Sequence, residues 1–144
     1  MKSLIGGDSY VMKYSKATNY ALHTMLFLAM DTPNKLVSVQ ELAEKQKVSP
    51  TYLSKILTKL VKEGMINSSS GVNGGYSLSQ NWEDISFLDI IHAIEGKSSL
   101  FDCCLESHSE CVIKKVMLSA EEKMEEELKN RKISDLVKKI SVDS

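Results

Sequence analysis

The chain has 144 residues, 42% of them hydrophobic and 26% charged, with a formal net charge of −1. That length suits one domain, or a small domain with a helical appendage, and no window approaches the roughly 18 apolar residues that would span a bilayer. The near-neutral total excludes a chain that is basic throughout, but the charge is uneven: residues 1–80 hold nine Lys against five acids, and residues 81–144 nine Lys or Arg against fourteen acids. A basic front and an acidic back fit a molecule that meets phosphate with one end and something else with the other.

Residues 1–11 lack the apolar stretch of a secretory signal and read as an extension, expected to be poorly ordered. With three cysteines and no export signal, the expectation is a cytoplasmic protein without a membrane partner. Ser15 to Met30 reads as a helix, apolar over much of its surface and therefore buried on more than one side. Asp31 to Asn34 is a turn, and Leu36 to Val39 a short strand edge. Ser38-Val-Gln-Glu41 is a capping-box sequence that opens a second helix, Val39 to about Gln46. Lys47-Val48 is a tight link, with Val48 placed to pack on Leu53 as a hydrophobic staple.

The next helix is marked at both ends. Ser49 suits its N-cap, Pro50 its first position and Gly64 a left-handed stop. Leu53, Ile56, Leu57, Leu60 and Val61 form one apolar stripe. Tyr52, Lys55, Lys59 and Lys62 fall within about a third of the circumference on another face. After it, two short strands flank Gly71-Val-Asn-Gly-Gly75, a hairpin signal.

Two helices joined by a tight turn and followed by a hairpin spell a winged helix-turn-helix over residues 12–80, with the second helix in the major groove of double-stranded DNA. Thr51, Tyr52 and Lys55 are the expected base-edge or first phosphate contacts, and the free backbone N–H groups around Ser49 to Tyr52 add an anion site at the helix N-terminus. Lys59 and Lys62 suit phosphate, while Asn73, Gly74 and Gly75 let the wing backbone approach a strand. Lysines opposite an apolar stripe also occur as a plain solvated face, and a winged helix also serves as a protein-docking module.

Residues 81–144 form the second part. Ser86 caps a helix through Ile94 that Gly96 ends. A loop from Lys97 to Ser109 carries the cysteine segment, and a long helix follows from about Glu110 to Asn130. Its line Ile113, Met117, Ala120, Met124, Leu128 is expected to meet a second copy of the chain, because a two-fold operator calls for two reading heads about one DNA turn apart. Ser134 is expected to cap a last short helix. The fold class is thus mostly α with a small β-hairpin: a winged helix-turn-helix plus a long C-terminal dimerisation helix.

The runs Tyr14-Ser-Lys16, Tyr20-Ala21, Ser49-Pro-Thr-Tyr-Leu-Ser-Lys-Ile-Leu57, Leu60-Val-Lys-Glu-Gly64 and Gly71-Val-Asn-Gly-Gly-Tyr-Ser-Leu78 resemble the bacterial Rrf-two family, from Met12 to about Ile140. The resemblance implies a homodimeric transcription regulator, usually a repressor, joined through the long helix. One departure is Ser70, where the family often carries an arginine before the wing glycine. No guanidinium is then available there for a minor groove.

Cys103, Cys104, His108 and Cys111 crowd one short segment. The resemblance aligns Cys111 with the third cysteine of iron–sulfur cluster-binding members and Cys103 or Cys104 with the first; the middle one has no counterpart. Where those members carry a ligating histidine, this chain has Lys114. Three readings therefore stay open. Cys103, Cys104 and Cys111 act as a redox switch, with a thiolate stabilised by Lys114, Lys115 and a helix N-terminus. They hold an iron–sulfur cluster as cofactor. Or they are small buried apolar groups. The first, with no cofactor and no metal, is the expectation.

Taken together, these residues read as a dimeric repressor of a palindromic operator with a redox-sensing cysteine loop. The alternatives are a protein-docking adaptor for a regulatory enzyme, and a cluster-sensing regulator. No phosphate loop, metalloprotease helix or nucleophile–base arrangement points to an enzyme.

Overall fold

The structure, a computed structural model, describes residues 14–31, 35–99 and 111–143. The extension at 1–11, most of the turn before Lys35, and Cys103, Cys104 and His108 lie outside the described residues. The elements are α1 (Lys16–Met30), α2 (Val39–Gln46), α3 (Pro50–Lys62), β1 (Ile66–Ser69), β2 (Gly75–Leu78), α4 (Phe87–Glu95), α5 (Val112–Lys129) and α6 (Ile133–Asp143), with a 3₁₀ turn at Trp82–Asp84.

Local chemistry starts each helix. Ser15, Ser38 and Ser49 lie in extended backbone, and each side-chain oxygen accepts from the N–H three residues on. That satisfies one of the donors a helix start leaves orphaned. Ser86 and Asp89 form a reciprocal capping box for α4. Gly64, just past α3, has φ +76, where a Cβ would be strained. The link from α2 to α3 turns through Lys47, whose φ of 56 and ψ of 47 are left-handed without a glycine. Its N–H caps the carbonyls of Ala43 and Glu44.

The core gathers α1, α2, α3, the hairpin and α4 around Ala21, Met25, Leu28, Leu42, Leu53, Leu57 and Leu60. It continues past residue 80, where the sequence suggested a boundary: Ile85, Ile90 and Ile133 belong to the same cluster. The long helix intervenes in sequence, yet α6 returns to pack on α1. A bridge between Ser86 and Lys132, and a 2.8 Å bond from the Phe87 N–H to the Arg131 carbonyl, hold that return.

β1 and β2 pair antiparallel, Ile66 opposite Leu78 and Ser69 opposite Gly75. The strand edge expected at Leu36–Val39 reduces to one bridge, Val37 with Tyr76. Two further expectations are corrected. The long helix begins at Val112, not Glu110, with Cys111 as its N-cap. Ser134 is not a cap: it lies inside α6, nearly buried, and its hydroxyl donates to the Glu83 carbonyl at 3.1 Å. The Asp135 carboxylate instead accepts from the Lys132 N–H just ahead of that helix.

Candidate nucleic-acid interface

α3 is fixed by its stripe. Leu53, Leu57 and Leu60 are fully buried and Ile56 nearly so, while Val61 is half-buried. A helix anchored by four side chains in three turns has one rotational setting. Ser49, Thr51, Tyr52, Lys55, Lys59 and Lys62 are consequently all exposed. Its N-cap bond, from the Tyr52 N–H to Ser49 Oγ, is 3.1 Å long. Two hydroxyls fold back onto the helix, Ser54 donating to the Thr51 carbonyl and Thr58 to that of Ser54. The lysines and Tyr52 therefore dominate the outward surface.

The wing stands beside the start of α2. An open groove of about 350 Å³ separates them, lined by Ser38, Gln40, Ser69, Gly74 and Tyr76. Asn73 is exposed, and Gly74 and Gly75 are half-buried. The structure gives both glycines an internal reason that the sequence did not reveal. A Cβ on Gly74 would overlap the Ser69 carbonyl oxygen, and one on Gly75 would come within 2.7 Å of the Val37 carbonyl oxygen. They close the hairpin and let it dock on the segment before α2.

Sequence reasoning missed a polar clamp between α4 and the start of α1. One oxygen of Glu95 accepts from the Ser15 N–H at 2.6 Å, the Ser15 hydroxyl at 2.8 Å and the Thr18 hydroxyl at 2.6 Å. Burial pushes the Glu95 carboxyl up, but these hydrogen bonds and the Lys59 charge outweigh it and hold the group below its usual range. Glutamate near a helix end gives no periodic signal, so only the fold reveals the clamp. Beside it, burial raises the Tyr14 phenol, and Glu125, Glu121 and Glu95 raise it further. His92 Nε2 of α4 lies 3.9 Å from Glu125 Oε2 of α5.

α5 has no fully buried residue among its eighteen. Met117, Met124 and Leu128 are partly covered, but Ala120 is exposed and Val112, Ile113 and Val116 are 71%, 64% and 66% exposed. The apolar line read from sequence is thus divided between a covered side and an open one. At its head, Cys111 is partly buried, and its Sγ accepts from the Lys114 N–H at 3.4 Å. Among the described residues, no three His, Cys, Asp or Glu side chains assemble as a metal site. The Lys114 side chain is exposed. Cys111 is the described member of the candidate donor set, and Cys103, Cys104 and His108 lie outside the described residues.

Residues 14–139 match the sequence profile of Rrf2, described as an iron-dependent transcriptional regulator. The chain belongs to the Rrf2 family. Members of this family are DNA-binding winged-helix transcription regulators rather than enzymes. The Lactococcus lactis protein YffB is 43% identical over 90 residues, which is 62% of this chain and 58% of that protein. The protein rrf2 of Nitratidesulfovibrio vulgaris is 29% identical over 136 residues, covering 91% of each chain. The solved structure of CymR, the global cysteine regulator of B. subtilis, is 25% identical with a TM-score of 0.76, over 88% of this chain and 96% of that one. Among the described residues, no helix is long and apolar enough to cross a membrane.

Proposed function

We propose that this Rrf2-family chain is a cytoplasmic homodimeric repressor of a palindromic DNA operator, with α3 in the major groove and the wing against the flanking backbone. One observation carries the reading: Tyr52, Lys55, Lys59 and Lys62 share an exposed face while the other side of the same helix is locked in the core. Tyr52 and Lys55, with Ser49 and Thr51 beside them, meet base edges and the first phosphates; Lys59 and Lys62 neutralise phosphates further along. Asn73, Gly74 and Gly75 carry the wing's approach. The open side of α5 (Ile113, Val116 and Ala120, with Met117, Met124 and Leu128 behind) covers the same face of a second copy and sets the spacing of the two heads.

Cys111 is the described member of the sensing segment. It caps α5, with its Sγ accepting from the Lys114 N–H. A peroxide oxidises it: the thiolate attacks one oxygen, an S–O bond forms, the O–O bond breaks and the departing oxide leaves as water after protonation. The resulting sulfenic acid changes the cap of α5, the helix that relates the two heads.

The test is duplex binding at several salt concentrations. Affinity is expected to fall steeply with salt, and Lys55→Glu to abolish it. A chain that binds no duplex at low salt, or a Lys55→Glu variant that binds as the parent does, would refute the reading. Peroxide is expected to release DNA from the parent and not from Cys111→Ser.

A further inference from the structure

The rings of Tyr20 on α1 and Tyr52 on α3 meet edge to face, with centroids 5.7 Å apart and planes at 82°. This is the favoured geometry of an aromatic pair. The two partners differ in setting. Tyr20 is partly buried against the core, on a helix whose Ala21, Thr24, Met25 and Leu28 are almost wholly enclosed. Tyr52 is 38% exposed, on the face that Lys55 and Lys59 share. The backbone of Tyr52 is also tied, through its N–H to Ser49 Oγ. A fixed ring therefore bears on a ring that would otherwise rotate in solvent.

We propose that Tyr20 is a positioning residue for DNA recognition: it holds the Tyr52 ring in one orientation before the duplex arrives. The inference rests on the DNA-reading proposal and deepens it, by placing part of the specificity on a helix outside the helix-turn-helix. An unheld tyrosine loses rotamer freedom on binding, whereas a held one has already lost it. The start of α1 is itself fastened to α4 by Glu95. Discrimination at the base step that Tyr52 meets then depends on the α1–α3 contact as well as on α3.

The experiment uses the full chain and a duplex enriched by the parent protein from a random-sequence pool. Affinities are compared for the parent, Tyr20→Phe, Tyr20→Leu, Tyr52→Ala and the Tyr20→Leu/Tyr52→Ala double variant. Tyr20→Phe keeps the ring and is expected to bind as the parent does. Tyr20→Leu is expected to bind about two- to tenfold more weakly. The same change is expected to cost nothing further once Tyr52 is alanine, and the sequences that Tyr20→Leu enriches are expected to relax at the Tyr52-dependent step. Thermal unfolding is followed in parallel, and Tyr20→Met replaces Tyr20→Leu if that variant unfolds early. An equal loss with and without Tyr52, or no loss in either aliphatic variant, would overturn the inference while leaving DNA reading intact. A pool that yields no enriched duplex, with Lys55→Glu behaving as the parent, would overturn both.

Discussion

α3 has thirteen residues and α5 eighteen, and both space apolar side chains along one face. In α3 that face is consumed within the chain: Leu53, Leu57 and Leu60 touch no solvent. In α5 no residue is buried, and the helix offers Val112, Ile113 and Val116 to solvent. Their caps differ too. Ser49 gives α3 an oxygen acceptor at 3.1 Å, and Cys111 gives α5 a sulfur at 3.4 Å. An amphipathic pattern states that a face must be covered, not by what. One helix leaves its polar side exposed; the other leaves part of its apolar side uncovered.

The largest expected effect breaks the covered helix. Leu57→Ala should lower the unfolding free energy by about 2–5 kcal/mol, measured by denaturant titration, because the site is enclosed and collapses poorly. Ser49→Ala should cost about 1 kcal/mol by removing the cap. At the other cap, Cys111→Ser should be neutral or raise stability by a few tenths of a kcal/mol, since a hydroxyl accepts better than a thiol. A loss there comparable to that of Ser49→Ala would mean that the two caps are equivalent.

The smallest effect on the fold belongs to α5. Val116→Ser should change the stability of a dilute sample by no more than about 0.5 kcal/mol. On the proposed dimer it should weaken self-association in sedimentation and remove the concentration dependence of the parent's Tm. Stability lost at every concentration would mean that α5 is covered within its own chain.

Acid sharpens the contrast between the fastened head and the open helix. Glu95 is held below its usual pKa, so its clamp contributes fully above the unfolded carboxyl value of about 4.3. The contribution fades as pH falls through the lower folded value. Glu95→Ala should remove this acid loss and destabilise the chain near neutral pH. Unfolding followed from pH 7 to about pH 3 checks both, and parallel pH curves for parent and variant would refute the clamp.

Much of the reading head was legible because its signals are local. Ser38, Ser49 and Ser86 sit where caps were expected, Ser15 caps the helix it was expected to begin, and Gly64 and the hairpin fall at the expected turns. Ser134 misled because a serine ahead of an apolar run resembles a cap, while its hydroxyl in fact reaches the distant Glu83 carbonyl. Lys47 carried no glycine signal for its left-handed turn, where its N–H caps the Ala43 and Glu44 carbonyls. Gly74 and Gly75 were legible as permissive backbone, but not as docking points on Ser69 and Val37.

What could be read from residue order alone was the set of helices, the hairpin, and the face of α3 that carries tyrosine and lysine. Periodicity and capping act over three or four residues, which the chain itself spells out. The fold decided the rest: the return of α6 to the core, the Glu95 clamp, the Tyr20–Tyr52 pair and the open side of α5. Each joins residues far apart in sequence or depends on what a neighbour leaves uncovered, and no local pattern encodes a distance across the molecule.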